Sequence, residues 1–281
     1  YLKFPVTIVS PPNFIHSAAF HEIAETLHYG LIALGYDSVL TTEGNLPGRR
    51  HIILGPNLLP HYPLPLADDA ILYNLEQVQE GSQWFTQPFL ELLQRYEVWD
   101  YSPQNVERLT QLGVNVSAIL PIGYTPELTR ITHVAEPDID VLFFGAMNPR
   151  RQAIIDQMRA LGLRVEVLYG VYGAARDAII GRSRLVLNLH YYDAKVLEMA
   201  RIAYLLANQC VVLSEFSSDI TEDIALADGV AFAHYEALPH KALQLVASKD
   251  ECARLAKNGF DLIRSRPITT CLKNALNQIL A

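Results

Sequence analysis

The sequence predicts two doubly wound α/β domains facing each other across a cleft. Three observations carry this. Apolar strand patterns alternate with amphipathic helix patterns over about 120 residues, the sign of a parallel sheet covered by helices on both faces. The alternation breaks between Tyr124 and Pro137, where YTPELTRITHVAEP has two prolines and no sustained periodicity, and then restarts. Half of the 281 residues are hydrophobic and 19% are charged, which supplies a substantial core and argues against disorder.

Val6–Ser10 is a short apolar run ended by a Ser-Pro-Pro-Asn turn. The spacing of Phe20, Ile23, Ala24, Leu27, Leu31 and Leu34 predicts a helix over Ala18–Leu34, closed by Gly35. Ser38–Thr42, His51–Leu54 and Ala70–Asn74 read as strands. Phe85–Tyr96 reads as a helix, Glu97–Tyr101 as a strand, Asn105–Leu112 as a helix stopped by Gly113, and Ser117–Pro121 as the last strand before the break. Beyond it come a strand at Val141–Phe144, a helix at Gln152–Leu161, a strand at Val165–Leu168 and a short helix at Arg176–Ser183. Strand Leu185–Leu189, helix Ala194–Ala207 and strand Val211–Ser214 follow. Glu222–Ala227, Leu238–Val246 and Lys249–Ile263 are helical patterns, and Pro267 sets off a terminal helix, Ile268–Leu280. The expected domains are residues 1–125 and 138–266, with residues 267–281 as a separate closing segment.

Composition excludes several classes. A formal charge of −8 is wrong for a nucleic-acid partner, which needs clustered Lys and Arg. No apolar run approaches the ~20 residues of a membrane span; the longest, Ile202–Val212, is interrupted by Asn208 and Gln209. No secretory apolar segment opens the chain, which begins at Tyr1 without Met. Cys210, Cys252 and Cys271 are too widely spaced for a zinc site, and an odd number suits a reducing compartment. The expected location is cytoplasmic.

The richest stretch runs from Leu185 to Glu215. It packs His190, Tyr191, Tyr192, Asp193 and Lys195 between a buried strand and the helix carrying Glu198 and Arg201. In an open α/β sheet, ligands bind outside the carboxyl ends of the strands, so these polar groups stand where a ligand belongs. Glu198 either binds that ligand or pairs with Lys195 or Arg201 along the helix. Phe143-Phe144-Gly145-Ala146-Met147-Asn148-Pro149-Arg150-Arg151 ends another strand. Gly145 permits close backbone approach and a guanidinium matches phosphate oxygens; alternatively, Arg150 and Arg151 are solvated helix-start residues. Glu215 contacts a ligand or accepts local backbone bonds. In the first half, His16 and His21 follow the first strand and are candidate bases. Glu76, in Tyr73-Asn74-Leu75-Glu76-Gln77, is a rim carboxylate or a partner of the next helix's cap. Ser102 or Asp100 can cap the helix after Trp99-Asp100-Tyr101-Ser102. Asp138-Ile139-Asp140 has metal-ligand spacing but precedes a strand, the wrong end for a cleft ligand.

His190 and Glu198, eight apart, carry a resemblance. The second half resembles the nucleotide-sugar-binding domain of GT-B glycosyltransferases, many of which have Glu-x7-Glu at this loop and helix; here the form is His190-x7-Glu198, followed by a helix about one turn longer than in the family. The YNLEQ, WDYS and LNLHYYD segments together look like a divergent bacterial branch of such proteins. The resemblance implies a nucleoside-diphosphate sugar as donor substrate, an unknown acceptor, no cofactor and no metal. It implies that Gly145 and Arg150 or Arg151 meet the diphosphate and that Glu198 binds the ribose, with Asn148, Tyr191, Lys195, Arg201 and Glu215 as further nucleotide-sugar-binding residues. His190 would face the sugar, and His16, His21 or Glu76 would be the base if transfer inverts. The terminal helix would cross back to the first domain. A nucleotide-sugar epimerase of the same architecture and a non-catalytic two-domain binding protein are the competing readings.

Overall fold

The computed structural model describes residues 2–281, which fall into two compact units, residues 2–127 with 266–281, and Leu128–Ser265. In the first unit, strands β1 (Val6–Ile8), β2 (Leu40–Thr41), β3 (Ile52–Leu54), β4 (Ile71–Asn74), β5 (Glu97–Asp100) and β6 (Val116–Ile119) form one sheet in the order β2-β1-β3-β4-β5-β6. Every pairing is parallel. Strands such as Ile52-Ile53-Leu54 are buried on both faces, which is why they read as continuous apolar runs rather than as alternation. Helices α1 (His21–Ala33), α2 (Gln87–Arg95) and α3 (Pro103–Gln111) cover the sheet. Thr86 and Ser102 cap α2 and α3 through their hydroxyls, so capping falls to neither Glu76 nor Asp100. The expected helix over Ala18–Leu34 is divided: Ile15–Phe20 is a tighter 3-10 turn and α1 starts at His21.

The second unit holds β7 (Ile139–Phe144), α4 (Pro149–Ala160), β8 (Val165–Leu168), α5 (Gly173–Ile180), β9 (Ser183–Asn188), α6 (Met199–Ala207), β10 (Val212–Glu215), α7 (Ile220–Leu226), β11 (Ala231–Ala233), α8 (Leu238–Val246) and α9 (Lys249–Arg264). Its sheet is also parallel, in the order β11-β10-β9-β7-β8. The short edge strand β11 carried too few residues to show a period in the sequence. Helix α10 (Ile268–Leu280) packs on α1 in the first unit, where a side chain at Gly30 would strike Ile268 and Leu272 at 2.7 Å.

One expected helix is corrected. Ala194–Ala207 is helical only from Met199. Lys195 has φ +47° and Glu198 φ −77°, ψ 63°, and the Lys195 carbonyl accepts from the Ser218 amide at 2.9 Å. The Lys195 carbonyl thus bonds to another loop rather than along a helix, and α6 begins only at Met199.

Gly259, inside α9, lies against the Gly229 backbone: a Cβ there would sit 2.7 Å from Leu206 and 2.9 Å from the Gly229 carbonyl oxygen. Gly259→Ala is expected to cost about 1–3 kcal/mol, the scale of overpacking where backbone must move. Denaturant unfolding of the variant checks this; an unchanged midpoint would show that the two segments part freely.

Candidate functional site

In the second unit the chain leaves β7 to one side for β8 and crosses to the other side for β9. The sheet's switch point therefore lies between β7 and β9, where open α/β sheets form their ligand crevice. The two segments that leave it are Gly145–Arg151 and Leu189–Glu198. Gly145 has φ +142°, a conformation favouring glycine, and its amide donates to the Leu168 carbonyl at 3.0 Å. A Cβ on it would sit 2.9 Å from Arg201 Nη2 and 3.6 Å from Arg151 Nη1. Glycine is thus what lets the Arg201 guanidinium close on a turn that Arg151 also borders.

Asn148 caps α4, accepting from the Arg151 amide at 2.9 Å, so its side chain is committed to the helix start. Arg151 is 4% exposed, with Nη1 donating to the Ala146 carbonyl at 2.7 Å and Nη2 to that of Leu189 at 2.5 Å. Its Nε is buried without a partner. The guanidinium contacts the Phe143 and Tyr191 rings, 5.1 Å from each ring centre. Burial first, and then the Arg201 charge, push Arg151 down to about 9. Arg201 donates to Asn188 Oδ1 at 2.9 Å and is lowered by burial and by Arg176, with Glu198 opposing. Neither Arg151 nor Arg201 touches a carboxylate among the described residues. Two desolvated cations beside helix-start amides are poised for an anion.

Arg150 is placed differently. It grips Glu215 in a two-pronged ion pair, donates to the His190 carbonyl at 3.2 Å and stacks on Tyr235, 4.2 Å from the ring centre. Glu215, 2% exposed, also accepts from the His190 amide at 3.3 Å, and Lys195 Nζ lies 3.8 Å away. The expectation that Glu215 contacts a ligand is thereby corrected: its oxygens are taken inside the protein. Arg150 and Arg151 are likewise not solvated helix-start residues.

His190 needs a correction as well. Expected to face a sugar, it is fully buried, with Nδ1 3.1 Å from Glu198 and Nε2 3.0 Å from the Phe216 carbonyl. Glu198 pairs with this histidine rather than with Lys195, and Asn188 Nδ2 donates to its second oxygen at 2.8 Å. Burial would raise the Glu198 carboxyl, but His190, Arg201 and Asn188 outweigh it and hold it below the usual range. Asn188, fully buried at the end of β9, also donates to Ser214 Oγ at 3.1 Å. In the sequence its only signal is that one Asn closes the apolar run LVLN. Tyr191 is 39% exposed and packs edge-on against Tyr192.

The first unit has its switch point between β1 and β3. His21 is an exposed residue of α1, 3.3 Å from Glu25, and His16 packs edge-on against Phe14. Glu76 follows β4, its backbone held by a buried cage: Asn74 Nδ2 and Asn105 Nδ2 each donate to its carbonyl at 2.9 Å. The cage is completed by Asp100, which accepts from Asn74 at 2.7 Å and from the Ser102 amide at 2.8 Å. Desolvation alone pushes the Glu76 carboxyl up to about 7, and it makes Asp100 titrate at about 7 despite those hydrogen bonds. The carboxylates of Asp138 and Asp140, at the opposite end of β7, are engaged by Arg182, Arg164 and Arg184.

No family model matches the sequence. An uncharacterized protein of Acanthamoeba polyphaga mimivirus is 34% identical over 110 residues, 38% of this chain and 12% of that protein. A second from the same virus is 24% identical over 218 residues, 73% of this chain and 68% of its own, and a third matches over only 26% of its length. These relatives are viral rather than bacterial. Among solved structures, Anabaena HepE in complex with UDP and glucose superposes with a TM-score of 0.64 at 12% identity, covering 100% of both chains. Sucrose-phosphate synthase from Thermosynechococcus elongatus gives 0.61 at 12% identity, covering 100% of this chain and 99% of that one. AviGT4, a glycosyltransferase involved in avilamycin A biosynthesis, gives 0.58 at 14% identity over 99% and 97%. The fold is the GT-B fold. No described helix is long and apolar enough to cross a membrane.

Proposed function

We propose that the protein is a glycosyltransferase that takes a sugar from a nucleoside-diphosphate sugar, with the donor bound by the second unit and the acceptor by the first. The observation that carries this is the pair of desolvated guanidiniums, Arg151 and Arg201, closing on Gly145 at the sheet's switch point. Such a pair suits a diphosphate, and it offers the departing group the positive charge that a metal ion would otherwise supply. The fold neighbours include proteins crystallised with UDP and with UDP-glucose, in keeping with this donor class. Glu198, held at the start of α6, would accept hydrogen bonds from the ribose diol. Among the first unit's candidates, Glu76 is the best-suited base, because a carboxyl titrating at about 7 serves acid–base work near neutrality.

Calorimetry with UDP and with UDP-sugars tests the reading. Glu198→Ala is expected to lose about 1.5–3 kcal/mol of affinity, the scale of hydrogen bonds to a charged group. Unchanged affinity in a folded variant would remove the ribose assignment. Turnover separates the competing classes: transfer releases nucleoside diphosphate only with acceptor and persists in excess chelator, an epimerase keeps the sugar attached, and a binding protein does neither.

A further inference from the structure

His190 occupies an arrangement that only a charged ring satisfies. A neutral imidazole has one N–H and one lone pair. Here Nδ1 lies 3.1 Å from both Glu198 oxygens and Nε2 lies 3.0 Å from the Phe216 carbonyl oxygen. Both neighbours are acceptors, so a neutral ring would aim a lone pair at one of them in a site with no exposed surface. Protonated, the ring donates at both ends. The proton belongs on the ring rather than on Glu198, because that carboxylate also accepts from Asn188 at 2.8 Å and feels the Arg201 charge.

We propose that His190 is a positioning residue: a buried imidazolium that, together with Asn188, fixes the Glu198 carboxylate for the ribose of the donor. This rests on the donor-site reading above. Glu198 is clamped through both oxygens, and with 16% of its side chain exposed it keeps an edge at the surface. Asn188 ties the same clamp to Arg201, since its Oδ1 accepts from that guanidinium at 2.9 Å while its Nδ2 serves Glu198. One amide therefore registers the sugar-binding carboxylate against the anion-binding cation. His-x7-Glu at this place does not substitute one ligand contact for another; it moves the first residue beneath the second.

The charged groups facing His190 come from four segments. Glu198 precedes α6, Glu215 ends β10, Asp223 lies on α7, and Arg150 of α4 holds the His190 carbonyl. Burial pulls the ring's affinity for a proton down, but the Glu198 hydrogen bond and charge, with Glu215 and the Phe216 carbonyl, outweigh it, so the ring titrates above its ordinary value.

The test uses the whole chain and two readouts. NMR titration of the wild-type imidazoles should show His190 keeping its proton above the pH at which an ordinary histidine loses its own; a ring that loses its proton at or below that pH would overturn the proposal. UDP affinity by calorimetry should fall as pH rises through the range in which the NMR titration shows His190 losing its proton, and H190Q should bind about tenfold more weakly below that range with a flatter profile, the loss of one charge-assisted hydrogen bond. Arg151, at about 9, contributes a second loss at the upper end that H190Q retains. H190Q with wild-type affinity and wild-type pH dependence would overturn the proposal. Absence of UDP binding by the wild type would instead overturn the donor site, while the NMR titration still decides the state of His190.

Discussion

Arg151→Ala is expected to cut sugar transfer by about 100-fold, as removal of other groups that stabilise developing negative charge does. The geometry singles out Arg151 over its neighbour. Arg150 is already neutralised by Glu215, whereas Arg151 spends its donors on two backbone carbonyls and has no carboxylate in contact. Its charge is held in place at a cost in desolvation, and an anion at Gly145 would offset that cost. The fold should tolerate the loss of an uncompensated buried cation. Arg150→Ala should behave in the opposite way: activity of the folded fraction near wild type, but stability lower by about 2 kcal/mol, because buried Glu215 loses its two-pronged partner and keeps only Lys195 at 3.8 Å and the His190 amide. That figure sits below the range for fully buried pairs since the Arg150 side chain is 27% exposed. Adding Glu215→Ala should recover part of the stability. Steady-state kinetics and denaturant melts on the three variants check both halves. A fully active Arg151→Ala enzyme would move the leaving-group site elsewhere.

The fold was legible because parallel strands buried on both faces are short apolar runs, and Ile52–Leu54 and Ile71–Asn74 announce themselves in this way. Helix starts were less so. Pro149 and Gly173 open helices that periodicity places three residues later, because a cap and a first turn carry no apolar stripe. Residues 194–198 read as helix from their composition alone; the tie of Lys195 to Ser218 that unwinds them links loops 23 residues apart and leaves no local pattern. At the site, the polar loop after β9 and the glycine–arginine segment after β7 were visible as polar residues at strand ends. Which atoms face inward was not. Arg150 and Arg151 are adjacent and chemically identical, yet one finds Glu215 and the other finds carbonyls. His190 reads as a surface ligand group until Phe216 and Glu198 are seen on its two nitrogens.

The largest effect should come from Glu76→Gln if transfer inverts at the anomeric carbon. A general base contributes about 10²–10⁴-fold, so the variant should lose activity on that scale while binding UDP normally. The amide keeps the shape of the side chain, and the cage of Asn74, Asp100 and Asn105 grips only the backbone of residue 76, so the loop should not move. The wild-type pH profile carries the signature. With the carboxyl titrating at about 7, kcat/KM should fall about tenfold per pH unit below that value, because only the ionised form accepts a proton. Stability supplies an independent reading of the same group. A carboxyl raised in the folded state binds its proton more tightly there than in the unfolded chain, so between about 4.5 and 7 the unfolded state holds fewer protons and stability falls as pH rises. Asp100 adds to that slope in the same direction. Glu76→Gln should therefore flatten the decline without abolishing it, leaving the Asp100 share. Melts at about pH 5 and pH 7.5 measure the difference. A variant with the full wild-type slope would show that Glu76 is solvated and ordinary, and wild-type turnover in the same variant would hand the proton to another group.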